Sequence, residues 1–156
     1  MRRKEKAVVD RKTIDGIIQK AEICHLSCCL DDQPYLIPIS FGYDGQAIFI
    51  HTASAGKKIT IFERNPRVCV SFVSQADLLS NQDQACNWSF NYSSVIAEGE
   101  ISEITDPALK TSALNHIMSH YSGREWEIPN KSLASTRAWK IMLENPSGKT
   151  SPPPKK

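Results

Sequence analysis

The sequence predicts a mainly β protein whose antiparallel strands close into a small, partly split barrel with helices at its periphery. Three observations predict this class. Strand-type runs follow one another across short turn signals, Asp44-Gly45 separates two of them, and only three segments space their apolar residues as a helix does. Asp-Gly between strand runs is a strong hairpin signal. A chain of 156 residues with 40% hydrophobic content is long enough to bury one core, so a single domain over 1–148 is expected, with 149–156, ending in SPPPKK, as a disordered tail.

In chain order, Thr13 or Asp10 can cap a first helix in which Ile14, Ile17, Ile18 and Ala21 share one face. Strand runs follow at 23–30, 35–43 and 47–51, with turns at 31–34 and at Asp44-Gly45. Pro38, inside the second run, cannot donate to a ladder and so marks an edge, bulge or bend where a ligand can meet unpaired backbone. A short helix carries Ile59 and Phe62 and stops at Asn65-Pro66, and residues 67–73 alternate as another strand. The polar residues 74–89 read as a long loop, and 92–104 as the longest strand, with a bulge or bend at Gly99. Asp106-Pro107 starts a helix faced by Leu109, Ala113, Leu114, Ile117, Met118 and Tyr121, and Ser122-Gly123 ends it. A linker then leads to a last strand near 138–143, for about six strands in all.

Charge narrows the function classes. Residues 1–12 carry six basic and two acidic side chains, and Lys149, Lys155 and Lys156 add three positive charges; at a net charge of +2 the body between them is acidic, at −5. An acidic body with basic ends offers no groove-sized positive surface, so nucleic-acid binding is not expected. No apolar run approaches the roughly 20 residues of a membrane span, and the basic residues after Met1 are not followed by the apolar stretch of an export signal, so a cytoplasmic protein is expected. Five cysteines, an odd number, read as free thiols. Cys24, His25, Cys28 and Cys29 are metal-ligand types, but neighbours on a strand face opposite ways, so Cys28 and Cys29 cannot easily share an ion; buried small hydrophobes are the simpler reading.

The stretch AIFIHTASAGKKITIF carries the chemistry. It reads as strand, tight small-residue loop and helix, with Lys57 and Lys58 in the first helical turn, where the macrodipole disfavours cations. An anion would compensate, and free N–H groups at a helix start bind phosphate or carboxylate. Ser54 can instead be a plain N-cap and the lysines solvated surface. His51 ends the strand close to the same place.

These residues carry a family likeness. PYLIPISFGY, IFIHTASAGKKI, NPRVCVSF, ACNWSFNYSSVIAEGE, HYSGREWE and the ending ENPSGK, in this order and with the MRRK start, resemble the pyridoxamine 5'-phosphate oxidase-like FMN-binding split barrels, and within them the branch of the Nim 5-nitroimidazole reductases. The resemblance implies a six-stranded Greek-key barrel and a homodimer with FMN at the subunit interface. It implies that Lys58, with His51, Thr52 and Lys57, holds the FMN phosphate, and that Pro38, Ile39, Ser40 and Phe41 run along the isoalloxazine. Tyr92, Ser94 and Val95 match the family's Tyr-Arg-Ser-Val pattern, and Cys86 and Trp88 its Cys-x-Trp; on physical grounds Trp88 can equally be packing, Cys86 a buried thiol and Tyr92 a strand aromatic. The pattern's Arg is Ser93 here.

The implied function is an FMN-dependent oxidoreductase that reduces a small organic acceptor of nitroaromatic type, with a reduced nicotinamide as a possible donor. His51 is the one candidate for a group acting on substrate. The alternative is a non-catalytic flavin or haem carrier on the same barrel, with His25, His51, His116 and His120 as axial-ligand candidates, and deazaflavin F420 is a third cofactor to weigh.

Overall fold

The structure, a computed structural model, describes residues 3–81 and 83–152; Met1 and Arg2 of the MRRK start and the last four residues of the tail lie outside it. Eight strands form one antiparallel sheet: β1 (Ala7–Val8), β2 (Cys24–Leu30), β3 (Gln33–Ile39), β4 (Gly42–Tyr43), β5 (Ala47–Thr52), β6 (Arg67–Leu79), β7 (Ser89–Ile104) and β8 (Arg137–Ser151). Two of them span only two residues, which leaves six long strands, the number expected. Among the described residues four α-helices surround them: α1 (Arg11–Lys20), α2 (Lys57–Arg64), α3 (Pro107–Ser122) and α4 (Asn130–Ser135). The last lies in the segment read from sequence as a linker.

Closure follows from connectivity. The strand order is β3-β2-β6-β7-β8-β5-β4, yet β3 and β4, at opposite ends of that path, are joined in the chain by Ser40 and Phe41 alone. Two residues cannot span an open sheet, so the sheet must curl until its edges meet, and because β3 and β4 do not pair, the barrel is split along that line. Between β5 and β6, which β8 and β7 separate in the sheet, the chain crosses the barrel end and carries α2 there.

Alternation builds the interior. On β2, Cys24, Leu26 and Cys28 are buried while His25, Ser27 and Cys29 are not, so Cys28 and Cys29 face opposite ways. β5 is apolar on both faces: Ile48 and Ile50 enter the barrel core, while Ala47 and Phe49 pack under α3 against Ala113 and Ile117. A side chain such as Ile48 or Phe49 contributes about 1.5–3 kcal/mol on full burial. The Asp10 carboxylate caps α1 by accepting from the Thr13 N–H at 2.8 Å, and Ile14, Ile17 and Ile18 then face the core. Asp106 caps α3, Pro107 takes the first helical position, and Gly123 ends the helix with φ of 72°.

Three boundaries depart from the sequence reading, the first being the run expected over 35–43, which breaks at Ser40 and Phe41 into β3 and β4. Residues 74–79, expected within a loop, extend β6, and 75–79 pair with 89–93, because a register shift between Val73 and Gln75 leaves Ser74 unpaired on β7 and breaks the alternation. The tail expected from Lys149 begins later: β8 continues through Ser151, held by β7 on one side and, at Gly148 and Lys149, by β1 on the other. Gly99 marks a close approach rather than the bulge, which lies between Ile96 and Glu98; a Cβ at Gly99 would run into the Met142 carbonyl.

Candidate functional site

The split in the barrel opens into a cleft of about 410 Å³ lined by Ile37, Pro38, Ile39, Ser40, His51, Thr52, Ala53 and Lys58. Three elements supply it: the end of β3 with the residue after it, the end of β5, and the first turn of α2. Six residues named from sequence, Pro38, Ile39, Ser40, His51, Thr52 and Lys58, are thereby brought together. The lining holds one ammonium and one imidazole and no carboxylate.

The start of α2 is electrostatically uncompensated. Its N-cap is Gly56, at φ of 136°, which leaves no side-chain cap; Ser54 does not fill that role. The first turn contains no acid. The first N–H groups with a partner are those of Ile59 and Thr60, both on the Gly56 carbonyl, so the donors of Lys57 and Lys58 remain for a ligand. A small-residue loop and a cationic helix start facing a cleft without acids fit a phosphate or carboxylate.

β8 fixes this corner through residues that sequence spacing did not single out. The Trp139 indole donates to the Thr52 hydroxyl at 3.0 Å, and that hydroxyl donates to the Ala53 carbonyl at 2.9 Å. Thr52 is therefore committed within the protein and offers a ligand only its backbone. The Trp139 ring meets Phe62 of α2 edge-on at 5.3 Å, and the Arg137 guanidinium lies over it at 4.7 Å. Arg137 also reaches Glu63 of α2 at 2.8 Å and donates to Glu103 of β7 at 2.7 Å, tying α2 to the barrel. The only hint in the sequence is that Arg137 and Trp139, two residues apart, share a strand face.

The other wall is pinned from α3. The Tyr121 hydroxyl accepts from the Phe41 N–H at 3.1 Å and donates to the Glu22 carbonyl at 2.7 Å, holding the link from β3 to β4; burial raises its pKa. The Phe41 side chain is fully buried against Phe72 and His120, so it does not line the cleft. Nearby, burial pushes the Cys24 thiol up to about 12, which keeps it a neutral thiol at physiological pH.

The remaining candidates lie elsewhere on the chain. The Lys57 ammonium sits over the Tyr35 ring at 4.7 Å. Val95 is in the core, and Ser94 and Tyr92 lie along β7, with the ammonium groups of Lys6 and Lys149 at 5.7 and 5.5 Å from the Tyr92 ring. Trp88 is 49% exposed and Cys86 is exposed, so neither is the packed residue or buried thiol weighed from sequence. Among the described residues no helix is long and apolar enough to cross a membrane.

Residues 10–150 match the family model described as pyridoxamine 5'-phosphate oxidase. The chain belongs to the pyridoxamine 5'-phosphate oxidase family. Among solved structures, this family member is similar to a candidate 5-nitroimidazole antibiotic resistance protein from Bacteroides thetaiotaomicron, at 28% identity and a TM-score of 0.81, covering 92% of this chain and 85% of that one. The likeness to the nitroimidazole branch read from the motifs is met by this structure. A FAD- and haem-binding protein from Mycobacterium smegmatis shares the fold at 20% identity and a TM-score of 0.83, covering 97% of this chain and 77% of that one. An uncharacterized protein of Rhizobium meliloti is 28% identical over 97 residues; the match covers 62% of this chain and 56% of that relative's length.

Proposed function

We propose that the chain binds FMN in the cleft between β3, β5 and α2 and acts as an FMN-dependent oxidoreductase on a small organic acceptor, of nitroaromatic type. The observation that carries this reading is the start of α2, which has no cap and no acid in its first turn, and whose Lys58 lines a carboxylate-free cleft with His51. Lys58, His51 and the first N–H groups of α2 hold the phosphate, while the Lys57 ammonium stays over the Tyr35 ring. The backbone of Pro38, Ile39 and Ser40 runs along the ring: β3 is an edge of the sheet, so the polar groups on its free side are available to the ring's polar edge. When bound, the flavin supplies the electron transfer, and the protein's part is binding, orientation and exclusion of water. No acid–base pair is needed for that part.

The cleft is open on one side, and Trp88, Tyr92 and Ser94 lie outside it. In this reading a second copy brings them over the ring, giving a homodimer with one flavin at each subunit interface, and a reduced nicotinamide is the electron donor. The similarity to the Bacteroides thetaiotaomicron protein supports the choice of acceptor.

The absorption spectrum of the purified protein after FMN titration tests the proposal. A flavin spectrum bleached by NAD(P)H and restored by a nitroaromatic supports it, with a dimer mass in sedimentation. A Soret band would replace FMN with haem, for which His25 and His51 are the better candidates, because His116 stacks on Phe49 at 4.7 Å and His120 Nε2 lies 2.9 Å from the Ala21 carbonyl. Binding of deazaflavin F420 in place of FMN, or of no chromophore, would also overturn it.

A further inference from the structure

We propose a second ligand site at the mouth of the barrel under α1, taking a small organic oxyanion. The cavity there measures about 420 Å³ and is lined by Thr13, Gly16, Ile17 and Lys20 of α1 and by Ser74, Gln75, Ser93 and Thr150 of the sheet. It is separate from the flavin cleft and shares no residue with it, so the inference does not depend on FMN binding.

Three observations carry it. Gln75, Ser93 and Thr150 stand in one row across β6, β7 and β8, Gln75 opposite Ser93 and Ser93 opposite Thr150. Ser93 has the parity of the core residue Val95 two positions on, so this polar row continues an inward-facing line that is otherwise apolar. At one end of the row the register shift leaves Ser74 without a partner on β7 and turns it toward the cavity, as bulges beside binding sites do. Next, the Thr150 hydroxyl oxygen is buried without a hydrogen-bond partner among the described residues, and a buried hydroxyl left unmatched is costly to keep. Last, the roof is Gly16, in the middle of α1, where glycine is the least favourable residue after proline. A Cβ built there meets nothing within 4 Å, so no packing contact accounts for the missing side chain.

The lining selects the ligand. Thr13 Oγ1 is engaged by Asp10 at 2.7 Å, and Gln75 donates one amide hydrogen to Asp77 at 2.6 Å. The groups left are the hydroxyls of Ser74, Ser93 and Thr150, the second Gln75 N–H and the Lys20 ammonium. Among the described residues no carboxylate lines the cavity, and the nearby Asp15 is paired with Arg11 at 2.8 Å. Hydrogen-bond donors and one cation around a space of this size suit a phosphate or carboxylate on a small carbon skeleton rather than a bare ion.

The test is an amide NMR titration of the full chain with glycerol 3-phosphate and, separately, succinate, which distinguishes a phosphorylated from a carboxylated ligand. The expected result is saturable shifts at Gly16, Ser74 and Ser93 with one probe, abolished in Gly16→Leu, whose side chain occupies the cavity. Thr150→Val keeps the shape and removes the unmatched hydroxyl; it should weaken binding about tenfold while leaving the melting temperature unchanged or raised. If Gly16→Leu fails to fold, Thr150→Val decides. No saturable shift with either probe, or equal affinity in wild type and Thr150→Val, overturns the proposal.

Discussion

Replacing Lys58 by alanine separates affinity from stability in a way that few alternatives imitate. Lys58 lines the cleft in the first turn of an uncapped helix, where its charge opposes the macrodipole. In the ligand-free protein the substitution removes an unfavourable charge worth about 0.3–1 kcal/mol, which for a chain of this size raises the melting temperature by about 1–4 °C. With FMN bound as proposed, the same change would delete a charge-assisted contact to phosphate, worth about 1.5–3 kcal/mol, so the dissociation constant should rise about 10- to 150-fold. Fluorescence titration of FMN measures the affinity, and thermal melts of the ligand-free proteins measure the stability. Opposite signs are the signature. An unchanged dissociation constant would refute the placement of the phosphate, and a lower melting temperature would refute the claim that the helix start is uncompensated.

Gly42→Ala should drive a Cβ into the backbone of His116 and Ile117, costing about 2–3 kcal/mol and lowering the melting temperature by about 4–12 °C in a thermal scan. Asp106→Ala removes the acceptor for the Leu109 N–H at 2.9 Å and should cost α3 about 1 kcal/mol, read as a shift of the urea midpoint at constant slope. The hydrogen bond from Arg137 holds the Glu103 carboxyl below its ordinary value of 4.5. A carboxyl depressed in the folded state adds stability above that value and loses it as the pH falls through the folded pKa, so denaturant midpoints should fall below about pH 4.5, and Arg137→Met should flatten that fall.

The parts legible in the sequence are those set by local spacing. Asp10 with the isoleucines of α1, Asp106-Pro107 with Gly123, and the Asp44-Gly45 hairpin each state their structure within a dozen residues. The lysines of α2 were legible for the same reason, since a cation at a helix start is a local contradiction that the fold resolves by opening a cleft there. What was not legible depends on partners far along the chain. Residues 74–79 looked like loop because the bulge after Val73 broke the period, and only the pairing of Ala76 with Tyr92 and Leu78 with Phe90 makes them strand. Asn145, Pro146 and Gly148 resemble a strand ending, yet β7 carries β8 past them. The commitment of the Thr52 hydroxyl to Trp139, 87 residues away, and the grip of Tyr121 on Phe41 have no spacing that announces them. Ser93 was visible as a departure from the family pattern, but its place beside Thr150 was not.

The unpaired edges on either side of Ser40 and Phe41 give this fold an unusual economy. A sheet that zipped shut along that seam would gain hydrogen bonds and lose its groove, so a ligand bound as proposed and completion of the ladder would compete for the same backbone groups. Mutants selected only for resistance to heat should accumulate at this seam, and they should arrive there empty-handed.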